Sequence, residues 1–239
     1  MAETPPPPHA EIIRAAEECL DKHGDGSPQG VGWRIPDATS RYRAMLGVVR
    51  PGSGAATLLD FGCGLSHLYE YILRNNFTDI QYSGLDLSER FLTLSRQKFP
   101  AVPYYDIDVL DPASPPLPLF DYVVINGIFT YMGRIPHDEK KAYMEALVSR
   151  VFDIARIGIA FNLMSKQVEW ERDDLFHLPI DDLAAFLSRN LSRHFVIRHD
   201  YGLYEYTTYV YKQPTAPEQA GAKSRLQDGP SRDVDGADH

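Results

Sequence analysis

The sequence predicts an α/β fold built on a parallel sheet, and three observations carry that prediction. An apolar run over residues 57–61 breaks at Gly62 and Gly64, after which Leu65, Leu68, Tyr69, Ile72 and Leu73 recur at helical spacing, so a buried strand turns sharply into a helix. A second strand over residues 80–87 carries the acid Asp86 at its end, about twenty residues beyond the glycines. Residues 121–129 form a nearly continuous apolar run, the pattern of a central parallel strand covered on both faces.

The first turn is where a small molecule is expected. Gly62 can adopt backbone angles closed to other residues, and Gly64 places no Cβ between the chain and a ligand lying across the strand end. Free N–H groups at the start of the following helix favour the ligand's negative end. Asp86 is spaced to accept hydrogen bonds from both hydroxyls of a ribose. The dinucleotide fingerprint needs a third glycine where this chain has His67, so the ligand read from these residues is an adenosine compound without a pyrophosphate.

With these residues the sequence resembles the class I S-adenosylmethionine-dependent methyltransferases, whose first motif is acid-x-Gly-x-Gly and whose second strand ends in an acid; Asp60, Gly62, Gly64 and Asp86 match. The resemblance implies a Rossmann-like fold: a mostly parallel seven-stranded sheet, an antiparallel strand in a C-terminal hairpin, and helices on both faces. It implies S-adenosyl-L-methionine as cofactor and S-adenosyl-L-homocysteine as product. From about residue 23 to residue 212 the chain further resembles a bacterial small-molecule methyltransferase branch, through His-Gly-Asp, Gly-Trp, Tyr-x-Gly-x-Asp, Asp-Tyr-Val-Val, Ala-Phe-Asn-Leu, Arg-His-Asp-Tyr and Tyr-Glu-Tyr-Thr. It departs from that pattern before Arg41, where a Gln is expected, and at His177, where a Tyr is expected.

Composition sets the outer bounds. A chain of 239 residues, 44% hydrophobic, buries one core, so one domain with flexible ends is expected. The net charge of −9 and the lack of a Lys/Arg run argue against nucleic acid as the principal partner. Cys19 and Cys63 are the only cysteines, which fits a reducing, cytoplasmic setting. No apolar run reaches the roughly 20 residues of a membrane span, and no signal-peptide pattern opens the chain. The sequence leaves monomer and homodimer equally open.

In order, residues 1–10, with four consecutive prolines, read as a disordered tail. Residues 11–212 read as one catalytic domain, its first forty residues (11–50) a helical cap, and residues 213–239 as a second disordered tail. Ile12, Ala15, Ala16, Cys19 and Leu20 mark an amphipathic helix. A glycine-rich loop ends at Trp33, which either packs in the core or belongs to a flap over the cofactor. Arg41, on the next helix, either pairs with the cofactor's methionine carboxylate or is a solvated surface residue. Ser88 caps a helix that stops at Pro100, and a third strand covers residues 102–109. The family's acid near the adenine amino group matches Asp108, followed by Val109, with Asp106 as the alternative; Leu87 follows the ribose acid.

Parallel sheets bind ligands outside the carboxyl ends of their strands, so Asn126, Gly127, Ile128, Phe129 and Tyr131 are expected to line the pocket. A fifth strand over 156–161 delivers Asn162 there, and the loop over 163–179, with Trp170 and His177, reads as a substrate lid. The last two strands turn at Gly202, bringing His199, Asp200 and Tyr201 to the ligand edge if the first of them runs parallel to the sheet; Tyr204 and Glu205 open the second. For methyl transfer to an oxygen or nitrogen of a small molecule, His199 is the candidate base, Asp200 or Glu205 its orienting or substrate-binding partner, and His177 and His137 its competitors. Phe129, Tyr131, Asn162, Trp170, Tyr201 and Tyr204 are the candidate acceptor contacts. The histidines show no metal-ligand spacing, and the chemistry requires no metal.

Overall fold

In the computed structural model, residues 7–52 and 54–215 are described. Their strands form one sheet in the order β3-β2-β1-β4-β5-β8-β7: β1 (Ala56–Phe61), β2 (Ile80–Leu85), β3 (Tyr104–Tyr105), β4 (Phe120–Ile125), β5 (Ala155–Ser165), β7 (Phe195–Arg198) and β8 (Glu205–Tyr211). The short β6 (His177–Leu178) pairs with the end of β5. Neighbours are parallel from β3 to β5, and β8 runs antiparallel to both β5 and β7, so β7 points the same way as the central strands. The chain builds outward from β1 through β2 to β3 and then crosses back to β4. The strand order therefore reverses between β1 and β4, which is where such sheets open a ligand crevice.

Alternation along the strands fills both faces. Leu59, Phe61, Val123 and Ile125 point to one side, where α5 (His137–Ile154) lays down Met144, Leu147, Val148 and Val151 and α6 (Ile180–Asn190) adds Leu183 and Leu187. Leu58, Tyr122 and Val124 point to the other, against Tyr42, Met45 and Leu46 of α2 (Ile35–Leu46) and Leu68 and Ile72 of α3 (His67–Arg74). Each such buried side chain is worth roughly 1.5–3 kcal/mol relative to exposure, so this two-sided core is what holds the strand ends in place. Among the described residues, no helix is long and apolar enough to cross a membrane.

Three boundaries differ from the sequence expectation. α1 (Pro8–His23) begins within the segment assigned to the N-terminal tail: Pro7 is its cap and Pro8 occupies the first turn, where a missing N–H costs nothing. The third strand keeps only two residues, because the chain turns where the Asp108 carboxylate accepts the Leu110 N–H at 2.9 Å. β5 runs on to Ser165 because β8 pairs with it as far as Met164 and β6 pairs with Met164 and Ser165. Residues 1–6 and 216–239, most of the two expected tails, lie outside the described residues.

Candidate active site

The site is built where β1 ends. Gly62 (φ 76°) and Gly64 (φ 51°) both take left-handed backbone angles, and Ser66 (φ 57°) does so again as the cap of α3. The N–H groups of Gly62 and Cys63 donate to the Leu85 carbonyl at 2.7 and 2.9 Å, which laces the turn to the end of β2. The Asp86 carboxylate then ties three segments together: Oδ2 accepts the Gly64 N–H at 2.8 Å and Oδ1 the Ser88 N–H at 2.9 Å. Ser88 Oγ accepts the Phe91 N–H, capping α4 (Glu89–Lys98), and donates to Glu17 of α1 at 2.5 Å. A carboxylate has about four lone-pair sites, so Asp86 keeps acceptor capacity for two ligand hydroxyls.

Above this turn lies a cleft whose walls are mostly apolar, with a few polar side chains converging on it, the character of a small-molecule site. α1 forms one wall with His9, Ile12, Ile13 and Ala16; Trp33, Tyr42, Asn126, Gly127, Ile128 and Tyr143 form others. The cleft floor includes five buried polar atoms without a hydrogen-bond partner: Tyr42 Oη, both ring nitrogens of His67, and both amide atoms of Asn126. Leaving such groups unpaired costs roughly 1–3 kcal/mol each. Their convergence on one cavity is what a polar, adenosine-sized ligand requires, and it is the test that S-adenosylmethionine passes here.

The electrostatics point the same way. Burial raises the Asp60 carboxyl to about 7, helped by the nearby charge of Asp86 and opposed by the Tyr82 hydroxyl, which donates to it at 2.8 Å. Burial also raises Asp86 to about 6, against the N–H groups that bond its ionised form. Among the described residues, neither acid has a Lys, Arg or His within ion-pair distance. Burial lowers His67 to about 4, so it stands in the cleft as a neutral imidazole. A cationic ligand would supply the missing countercharge. Among the described residues, no group of three His, Cys, Asp or Glu is placed to hold a metal ion.

Of the residues selected from sequence, Trp33, Asp60, Gly62, Gly64, Asp86, Leu87, Asn126 and Gly127 line the cleft together. Arg41 does not: it is bound to Glu205 through Nη2 at 2.8 Å and Nε at 3.0 Å. Asp108 and Val109 also lie off the lining, Asp108 standing 3.8 Å from His9, which is on it. Phe129, expected at the pocket, is fully buried edge-on to Phe161 in the core. Tyr131 bridges to Leu175 of the long loop. Asn162 is likewise fully buried, accepting the Gly127 N–H at 2.8 Å. Tyr42, His67 and Tyr143 are cleft residues that the sequence does not single out, and α1, expected as part of a helical cap over residues 11–50, supplies a wall of the cleft.

The candidate catalytic residues do not converge on the cleft. His199 lines a separate shallow recess with Gln167, Glu169 and Tyr204, beside the exposed Trp170, whose ring lies 5.4 Å from that of Tyr204. Asp200 is ion-paired with Arg198 at the surface, and Tyr201 bonds Thr207 at 2.9 Å. Glu205 is buried in its pair with Arg41. His177 is buried too, Nδ1 bonding the Ser165 carbonyl at 2.6 Å, and His137 sits 3.3 Å from the His177 carbonyl. The reason is lateral: β7 is the outermost strand, four strands from β1, or about 19 Å at 4.8 Å per strand.

The strand order, the glycine turn and the acid-ended second strand define a Rossmann-like domain of the class I methyltransferase type. A family profile described as "Methyltransferase domain" matches residues 59–158. The protein named "Putative methyltransferase Rv1506c" from Mycobacterium tuberculosis (strain ATCC 25618 / H37Rv) is 30% identical over 159 residues, 64% of this chain and 91% of that protein. Among solved structures, magnesium protoporphyrin IX methyltransferase from Synechocystis PCC 6803 with bound SAM aligns at TM-score 0.60, 14% identity, covering 89% of this chain and all of that one. Burkholderia thailandensis 1,6-didemethyltoxoflavin-N1-methyltransferase aligns at TM-score 0.55, 16% identity, covering 88% of this chain and 92% of that one. The chain belongs to the methyltransferase family, with the class I S-adenosylmethionine-dependent fold.

Gly62→Ala measures how far the turn depends on its backbone. A left-handed non-glycine residue costs roughly 1–2 kcal/mol, and the new Cβ would stand 2.5 Å from Ile128 Cδ1, so Ile128 must swing within the cleft it lines. The expected result is a lowered melting temperature together with weakened S-adenosylhomocysteine binding; unchanged affinity would detach the turn from the ligand.

Proposed function

We propose that this chain binds S-adenosylmethionine in the cleft and directs its methyl group to an oxygen or nitrogen of a small molecule such as a sugar, an amino acid or a natural-product intermediate. The observation that carries this reading is the convergence of unpaired Tyr42, His67 and Asn126 atoms with the buried acids Asp60 and Asp86 around one cavity. Asp86 takes the ribose hydroxyls, and Leu87, Ile128 and Tyr143 supply apolar walls. Asp60, Tyr42 and Asn126 serve the polar amino-acid half. When bound, the cofactor supplies an electrophilic sulfonium methyl. The chain's own residues hold both reactants, and α1 closes over them against water. A domain capped by α1 and α2, with net charge −9, suits a small acceptor better than a phosphate backbone.

Labelled cofactor incubated with the protein and fractionated cell extract is expected to leave label in small molecules. Label in protein or RNA would establish a macromolecular acceptor, and cofactor binding without transfer a non-catalytic role. His199→Ala is expected to retain turnover within about fivefold across roughly pH 6–9, because a general base worth about 10²–10⁴ must stand within hydrogen-bond reach of the reacting group and His199 lies off the cleft. A loss of about a hundredfold would bring the recess into the catalytic site.

A further inference from the structure

Behind the β4 edge of the cleft lies a buried polar network that the cleft itself does not use. Its centre is Glu205, the first residue of β8, 1% exposed. Three side chains donate to its carboxylate: Arg41 through Nη2 at 2.8 Å and Nε at 3.0 Å, Asn162 Nδ2 at 3.1 Å, and the Tyr201 hydroxyl at 3.4 Å.

Two of these donors reach the cleft wall in one further step. The Arg41 guanidinium lies 5.1 Å from the centre of the Trp33 ring, within cation–π range. Asn162 uses its other amide atom to accept the Gly127 N–H at 2.8 Å. Trp33 and Gly127 then meet each other: Gly127 has φ 88°, and a Cβ on it would stand 2.9 Å from the indole. Both line the cleft.

One carboxylate thus fixes two neighbouring pieces of the wall, Trp33 and Gly127, that come from well-separated segments of the chain. Stability alone is a poor account of it, since a buried ion pair is often no better than apolar side chains of equal volume. We propose that Glu205 is a positioning residue: through Arg41 and Asn162 it holds the Trp33 indole against Gly127, and so sets the shape of the cleft beside the end of β4. The proposal rests on the cofactor-binding reading of the cleft.

The test uses the only other tryptophan, Trp170, which is exposed and lines neither the cleft nor the network. In a Trp170→Phe background, Trp33 is the sole tryptophan and its emission reports the wall directly. Glu205→Gln and, independently, Arg41→Lys, which cannot reproduce the planar two-point contact, are compared with that parent. Both are expected to red-shift Trp33 emission, raise its quenching by acrylamide, and weaken S-adenosylhomocysteine binding roughly tenfold. Glu205→Asp should fall between parent and Glu205→Gln. The proposal is overturned if the folded variants match the parent in Trp33 emission, quenching and affinity, even with a lower melting temperature. Should Glu205→Gln not fold, Arg41→Lys decides alone. A parent that binds no cofactor product refutes the methyl-donor reading, while the emission change still decides whether Glu205 positions the wall.

Discussion

Asp86→Ala is expected to weaken S-adenosylmethionine binding by a hundredfold or more, on the order of 3 kcal/mol, while leaving the protein folded. Two charge-assisted ribose bonds disappear, each worth roughly 1.5–3 kcal/mol. The effect on stability is small because two terms of similar size oppose each other. The variant abandons the Gly64 and Ser88 N–H groups that Asp86 satisfies, a cost of roughly 1–3 kcal/mol each. It also removes a buried carboxylate whose ionisation the fold resists, since burial lifts Asp86 to about 6, which recovers on the order of 3 kcal/mol at neutral pH. Calorimetric titration with S-adenosylhomocysteine, beside a melting curve, separates the two. Parent-like affinity would remove Asp86 from the site.

Much of the scaffold is legible without coordinates, because the forces that set it act over short stretches. The run over residues 57–61 and the glycines after it encode a strand-to-helix turn through local sterics alone, and Ser88 announces the next helix through its own hydroxyl. The hairpin at Gly202, where the chain reverses with φ 78°, is legible and makes β7 antiparallel to β8. The direction of β7 relative to the central strands is open in the sequence and comes from β8 pairing antiparallel with β5. What a hairpin does not encode is where in the sheet the pair docks. His199 therefore has the expected orientation along the sheet but sits at its far edge.

The same distinction separates the site residues. Asp60, Gly62, Gly64 and Asp86 lie in two short motifs whose spacing is fixed by one crossover, so their convergence could be read from the chain. Arg41 meets Glu205 across 164 positions of sequence, and nothing near either residue names its partner. Ile12 and Ala16 advertise an apolar face, but the same stripe would suit a core as well as a lid; the difference lies in Glu17 reaching Ser88 and Glu11 reaching the Arg134 N–H at 2.9 Å. Tyr42 and His67 are distinguished only by having no partner once buried, a property that exists in three dimensions alone.

Acidification is expected to push stability and cofactor affinity in opposite directions. Asp60 and Asp86 have folded-state values of about 7 and about 6, both above the usual carboxylate value. Between about pH 4 and pH 7 the folded protein therefore binds protons that the unfolded chain releases. The contribution of these two acids to stability is greatest at the acid end of that window and declines as pH rises through it. His67, held at about 4 in the folded protein, opposes them once pH falls below the ordinary imidazole value. The melting temperature of the cofactor-free protein should therefore rise from about pH 7.5 toward about pH 5 only by the surplus of the two acids. On the proposed reading binding draws on both ionised carboxylates, Asp86 to accept the two ribose hydroxyls and Asp60 to offset the positive charge of the cofactor's amino-acid half. Each unit below the folded value removes about a factor of ten in the ionised fraction, so by about pH 5 affinity should fall about tenfold through Asp86 and up to about a hundredfold through Asp60. In Asp86→Asn the part due to Asp86 is absent, and the difference between the two proteins isolates it. If affinity for S-adenosylhomocysteine held constant down to about pH 5, the acids would lie outside the contact surface, whatever the melting curves showed.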